Sequence, residues 1–118
     1  MEIETMANVR VSSGTVKNLL PEGGVTGSFT GPWVYKDSPW GAIQASVEGT
    51  GVVGATITLQ VTNDIARGPV NTAMGTIALT GTSPQSDGFS TVATWKYVRA
   101  VVSGVSGTGA TVYATLGL

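Results

Sequence analysis

Between Trp95 and Leu116 the chain alternates apolar and polar residues with a period of two, and this limits what it can fold into more than any other feature. In the run Trp95–Ser103, Val98, Ala100 and Val102 fall on one face of an extended chain, with Trp95, Tyr97 and Arg99 on the other. After a glycine-rich stretch, Val112, Ala114 and Leu116 alternate with Thr111, Tyr113 and Thr115 over Ala110–Leu116. The spacing predicts a β-hairpin made of these two runs. A hairpin cannot bury its apolar face alone, so the preceding chain must supply a facing sheet.

The upstream sequence answers that demand. From Ala42, the residues Ile43, Ala45 and Val47 point one way and Gln44, Ser46 and Glu48 the other. A turn is expected at Gly49-Thr50-Gly51, and Ala55–Thr62 resumes with Ile57, Leu59 and Val61 inside and threonines outside. This reads as a second hairpin. Gly49-Thr50-Gly51 with Ala55-Thr56-Ile57 echoes Gly107-Thr108-Gly109 with Ala110-Thr111-Val112. Two equivalent hairpins and chance in a Gly/Thr/Val-rich chain both account for the echo.

Asn63-Asp64 marks a turn, Ile65–Asn71 an irregular crossing, and Met74–Thr80 a strand with Ile77 and Leu79 on one side. Gly81–Gly88 reads as a polar loop, and Phe89–Thr94 leads into the closing hairpin. Near the start, Val9 and Val11 begin a strand that Ser12-Ser13-Gly14 interrupts, and Val25–Phe29 reads as another short strand. Residues 1–30 are expected to be an N-terminal arm or edge strands. The runs add up to about eight short strands with no helical periodicity. The expected fold is all-β: one antiparallel β-sandwich domain of jelly-roll type over residues 1–118.

Composition narrows the function. With 42% hydrophobic and 11% charged residues, the chain carries less than half the charge usual in a soluble domain. Such a surface suits coverage by neighbours. A net charge of −1 and no basic patch argue against nucleic acid. No run approaches the roughly 20 apolar residues of a membrane helix, and no signal peptide is predicted at the acidic start. The absence of Cys and His removes their zinc sites, triads and imidazole bases. Gly49–Gly54 matches GxGxxG, but a strand follows where a dinucleotide fold needs a helix. Asp37, Glu48, Asp64 and Asp87 sit singly at turns and strand ends, where Asp bonds its own backbone. Lys17, Lys36 and Lys96 lack Ser-x-x-Lys spacing. The expectation is a non-enzyme with no cofactor and no metal.

The recognition candidates are aromatic. Gly31–Gly41 gathers Trp33, Tyr35, Lys36 and Trp40 around two prolines, as a loop or strand margin. Trp and Tyr anchor interfaces and stack on sugars, and they also cap open sandwich ends. Trp95, Tyr97 and Arg99 form the second group, where a guanidinium can lie over a ring, or snorkel. Alternatively this face is buried and the Val/Ala face is covered by a neighbouring subunit; the sequence leaves the choice open.

Several runs together resemble a known family. They are Ser86-Asp87-Gly88-Phe89, Trp95-Lys96-Tyr97-Val98-Arg99-Ala100 and Ser106-Gly107-Thr108-Gly109-Ala110-Thr111-Val112, with Val61-Thr62-Asn63-Asp64 and Gly75-Thr76-Ile77-Ala78-Leu79-Thr80-Gly81 upstream. From Trp40 onward the chain resembles small β-sandwich virion proteins of tailed bacteriophages, encoded near the major capsid protein. The resemblance implies a capsid decoration or cement protein. Such a protein is made in the host bacterial cytoplasm, binds the outer capsid surface as a dimer or trimer, and braces the major capsid protein against DNA pressure. The alternative is a receptor- or carbohydrate-binding module of a phage fibre, neck or tail appendage, stacking sugars on Trp33, Tyr35 and Trp40.

Overall fold

The computed structural model describes residues 16–36, 38–67, 72–92 and 95–118. Seven strands form one antiparallel sheet. They are β1 (Val16–Asn18), β2 (Phe29–Thr30), β3 (Val34–Tyr35), β4 (Trp40–Thr62), β5 (Thr72–Thr82), β6 (Gln85–Val92) and β7 (Tyr97–Gly117). A single 3₁₀ turn, Ile65–Arg67, follows β4, with the Ala66 amide donating to Asp64 Oδ1 at 3.0 Å.

The two predicted hairpins are corrected by the structure. Each is one long strand, 23 residues in β4 and 21 in β7, and the two pair with each other. Their antiparallel register runs from Ala42 opposite Gly117 to Thr62 opposite Tyr97. The Gly-Thr-Gly segments read as turns are the places where the strands bend, and Thr50 lies opposite Thr108. Register shifts between Glu48 and Thr56 mark the corner. A bulge adds residues to one strand and swings it without reversing it, so alternation continues beyond the corner. The sequence echo is therefore two adjacent parts of one corner. Gly107 has φ of 109°, and a Cβ there would stand 2.7 Å from the Val52 carbonyl oxygen. Across the corner, a Cβ on Gly49 would stand 2.7 Å from the carbonyl oxygen of Thr108. Glycine on both strands lets them approach this closely.

The bend folds the sheet into two layers, giving a sandwich-like molecule 21 Å thick, as expected for layers about 10 Å apart with side chains outside. The first layer runs β6, the Trp40–Glu48 half of β4, the Thr111–Gly117 half of β7, then β1. The second runs β5, the rest of β4, the Tyr97–Ser103 part of β7, then β2 and β3. The all-β, antiparallel single-domain reading agrees with this. In place of about eight short strands there are seven among the described residues, because β4 and β7 each serve both layers.

The alternation read from the sequence places the core correctly. Ile43, Ala45 and Val47 with Val112, Ala114 and Leu116 line the first layer, and Ile57, Leu59, Val61, Ile77 and Leu79 with Val98, Ala100 and Val102 the second. All belong to one buried cluster. Each Val, Leu or Ile withdrawn from water contributes about 1.5–3 kcal/mol.

The predicted loop at Gly81–Gly88 shrinks to Ser83-Pro84, with a cis peptide bond; its flanks belong to β5 and β6. Polar residues suffice there because an edge strand at a corner is held by backbone pairing, Gln85 to Gly88 facing Val47 to Gln44. Of the strand expected at Val25–Phe29, Val25 makes an isolated bridge to Val112 and Phe29 begins β2. The strand expected at Val9 and Val11 lies outside the described residues, as does most of the Ile65–Asn71 crossing.

Candidate interaction surfaces

Antiparallel partners share a face, so the register gives the outer surface of each layer. On the second layer, Thr58 stands between Thr76 and Val101 and Gln60 between Ala73 and Arg99, while Tyr97 and Tyr35 pair beside Thr62, which is itself buried. Arg99 is the one charged residue in these rows. Its guanidinium carbon lies 4.3 Å from the centre of the Trp33 ring, and its Nε donates to Gln60 Oε1 at 2.8 Å. Tyr35 and Tyr97 meet edge to face, with ring centres 5.6 Å apart. Four of the predicted residues, Trp33, Tyr35, Tyr97 and Arg99, thus form one cluster at the end of the layer farthest from the corner. The buried face of this run is the Val98, Ala100 and Val102 face, which decides the choice the sequence left open.

The other three candidates separate from that cluster. Lys36 is only 1% exposed and is an internal group. Its Nζ donates to the Ser38 carbonyl and its amide to the Lys96 carbonyl. Burial, followed by repulsion from Lys96, holds the ammonium below the ordinary lysine range. A polar side chain between two prolines carried no sign of burial in the sequence; the fold turns it back onto Ser38 and Gly41. Trp95 is half-buried and packs against the core cluster. Trp40 is 63% exposed but stands on the first layer, opposite Val92, itself 60% exposed. Trp33 and Trp40 therefore belong to different layers.

The first layer's outer face is the surface that sequence reasoning missed. Below Trp40 and Val92, one row runs Ser90, Ala42, Gly117 and Val16, the last 70% exposed. The next rows are Gly88, Gln44, Thr115 and Asn18, then Ser86, Ser46 and Tyr113. A shallow depression of about 330 Å³ lies between Trp40, Ala42, Ser90 and Leu118. These rows carry no charge; Glu48, opposite Thr111 in a further row, stands at the corner. There it borders an open groove of about 310 Å³ with Thr50, Thr108 and Tyr113. The signal available was the small, uncharged set at alternate positions, which only the register assembles into a surface.

Of the other acidic candidates, Asp87 Oδ1 accepts from the Gly88 amide, Asp64 caps the 3₁₀ turn, and Asp37 lies outside the described residues. Gly49–Gly54 lies within β4. Among the described residues no three His, Cys, Asp or Glu side chains gather as a metal site, and no helix is long and apolar enough to cross a membrane.

Protein-family models, curated proteins and solved structures offer no match to this chain. The surfaces themselves carry the functional argument.

Proposed function

We propose that the chain is a non-enzymatic structural protein of a tailed-bacteriophage virion, a decoration or cement protein that binds the outside of the head. The observation that carries this reading is the outer surface of both layers. Each is a sheet face of mostly uncharged residues, many of them small, interrupted by one charge, Glu48 on the first layer and Arg99 on the second. Surfaces of this kind are cheap to desolvate, and their large groups, Trp40 and the Trp33–Arg99 pair, are of the type that anchors interfaces. The sequence resemblance points to the same role.

Size adds a condition. Roughly 30 strand residues in a layer, each covering about 3.3 Å along the strand and about 4.8 Å across it, give a footprint on the order of 500 Å². A standard stable interface takes about 800 Å² from each partner. One face is therefore short of a tight one-to-one complex, and attachment gains from repetition over a symmetric lattice.

The test is quantitative co-sedimentation of the purified chain with capsid shells of the phage that encodes it. Saturation at a copy number matching the capsid lattice is expected, with Trp33→Ala/Trp40→Ala weakening attachment while the fold is kept. A copy number fitting only a vertex or appendage, or no binding, overturns the decoration role and moves the assignment to a fibre, neck or tail module.

A further inference from the structure

We infer that the outer edge of β5 is a self-complementary pairing edge that joins two copies of this chain about a two-fold axis at Ala78. The inference stands independently of the capsid reading. β5 is hydrogen-bonded to β4 on one side, and among the described residues no strand pairs with its other side. Its 11 residues contain no charge and no proline. Proteins usually blunt such an edge with lysine, proline or short length, since its unpaired N–H and C=O groups template another strand. The other edges follow that rule: β1 has three residues including Lys17, β2 and β3 have two each, and β6 carries Asp87.

The sequence of the edge identifies its occupant. Past an irregularity that leaves Met74 unpaired between Ala73 and Gly75, the regular stretch reads Gly75-Thr76-Ile77-Ala78-Leu79-Thr80-Gly81. Apart from the exchange of Ile for Leu, it is the same from either end. Antiparallel pairing with a second copy about Ala78 sets Ile77 opposite Leu79, Thr76 opposite Thr80 and Gly75 opposite Gly81. The faces agree as well. Ile77 and Leu79 are buried on the inner face, while Thr76, Ala78 and Thr80 are exposed on the outer one.

Threonine pairs and aliphatic pairs across strands are each favourable by roughly 0.2–1 kcal/mol, and the two-fold makes each pair twice. A slip of one residue would set Ile77 against a threonine on the wrong face. A slip of two, with the axis at Ile77, would set Leu79 against Gly75. The palindrome serves antiparallel self-pairing and gains nothing from an unrelated strand. The dimer would extend the second layer across the axis and double the face each assembly presents.

The experiment is sedimentation equilibrium with native mass spectrometry on the full chain. A dimer is expected for the natural sequence. Ala78→Lys and Ala78→Glu each set like charges about 5 Å apart on the axis and should weaken self-association by about tenfold or more. Mixing the two variants should restore a heterodimer. Thr76→Lys/Thr80→Glu, which sets opposite charges across the axis, should keep the dimer; Thr76→Lys/Thr80→Lys should lose it. Far-ultraviolet circular dichroism establishes that each variant is folded. A natural chain that is monomeric up to its solubility limit overturns the inference, as does a dimer that survives Ala78→Lys.

Discussion

On the side of the sandwich formed by β5 and β6, side chains of β6 span the gap between layers: Phe89 lies so close over Gly75 that a Cβ there would stand 2.6 Å from it, and Gln85 reaches the Thr82 carbonyl at 2.8 Å. On the opposite side the edges are strands of two or three residues, and the chain itself crosses the gap. Leu19 and Leu20 are buried, with the Leu19 amide on the Ala114 carbonyl of the first layer and the Gly31 amide on the Ala100 carbonyl of the second. One side is thus sealed by a covalent crossing that leaves little strand edge exposed. The other is spanned by side chains and leaves a long uncharged edge. The covalent crossing and the proposed pairing edge lie on different sides of the same core.

The largest effect should come from the crossing. Leu19→Ala should cost about 2–5 kcal/mol in urea unfolding, because a fully buried side chain is lost where both layers bind the chain. Phe89→Leu should cost less, since the ring is only partly buried and leucine refills much of its space. Equal costs would break the contrast between the sides. Gly75→Val is next, at about 1–3 kcal/mol, because the added methyl groups force the Phe89 ring off the strand.

The smallest effect concerns Lys36, also on the crossing side. Its pKa in the folded chain lies below the ordinary 10.5, so the unfolded chain holds the proton to higher pH. The cost of burying the charge is fully present at any pH below the lowered folded value. It is relieved as pH climbs from that value towards 10.5, so this group makes stability rise with pH there. Unfolding midpoints measured across that range should rise more for the natural chain than for Lys36→Met, and parallel profiles would remove Lys36 as the source.

What the sequence made legible was side-chain direction. Ile43 to Val47, Ile57 to Val61, Val98 to Val102 and Val112 to Leu116 all point inward as the alternation requires. Partnership was not legible, because Gly-Thr-Gly suits both a reversal and a bend. The choice depends on whether Thr50 meets Thr108, 58 positions away in the chain, or the chain beside it folds back. The aromatic cluster was half legible for the same reason: Tyr97 and Arg99 share a face by spacing, whereas the partnership of Arg99 with Trp33 joins residues far apart in the chain.

The corner has a consequence for how the molecule is made. Since β4 and β7 each run through both layers, neither layer has its central pair of strands until β7 has left the ribosome. Folding in pieces during synthesis is closed to this architecture; the contacts that close it are distant in sequence and form slowly. Until then β4 waits with its apolar face open, and the low charge that suits a covered surface offers that intermediate little protection from its neighbours.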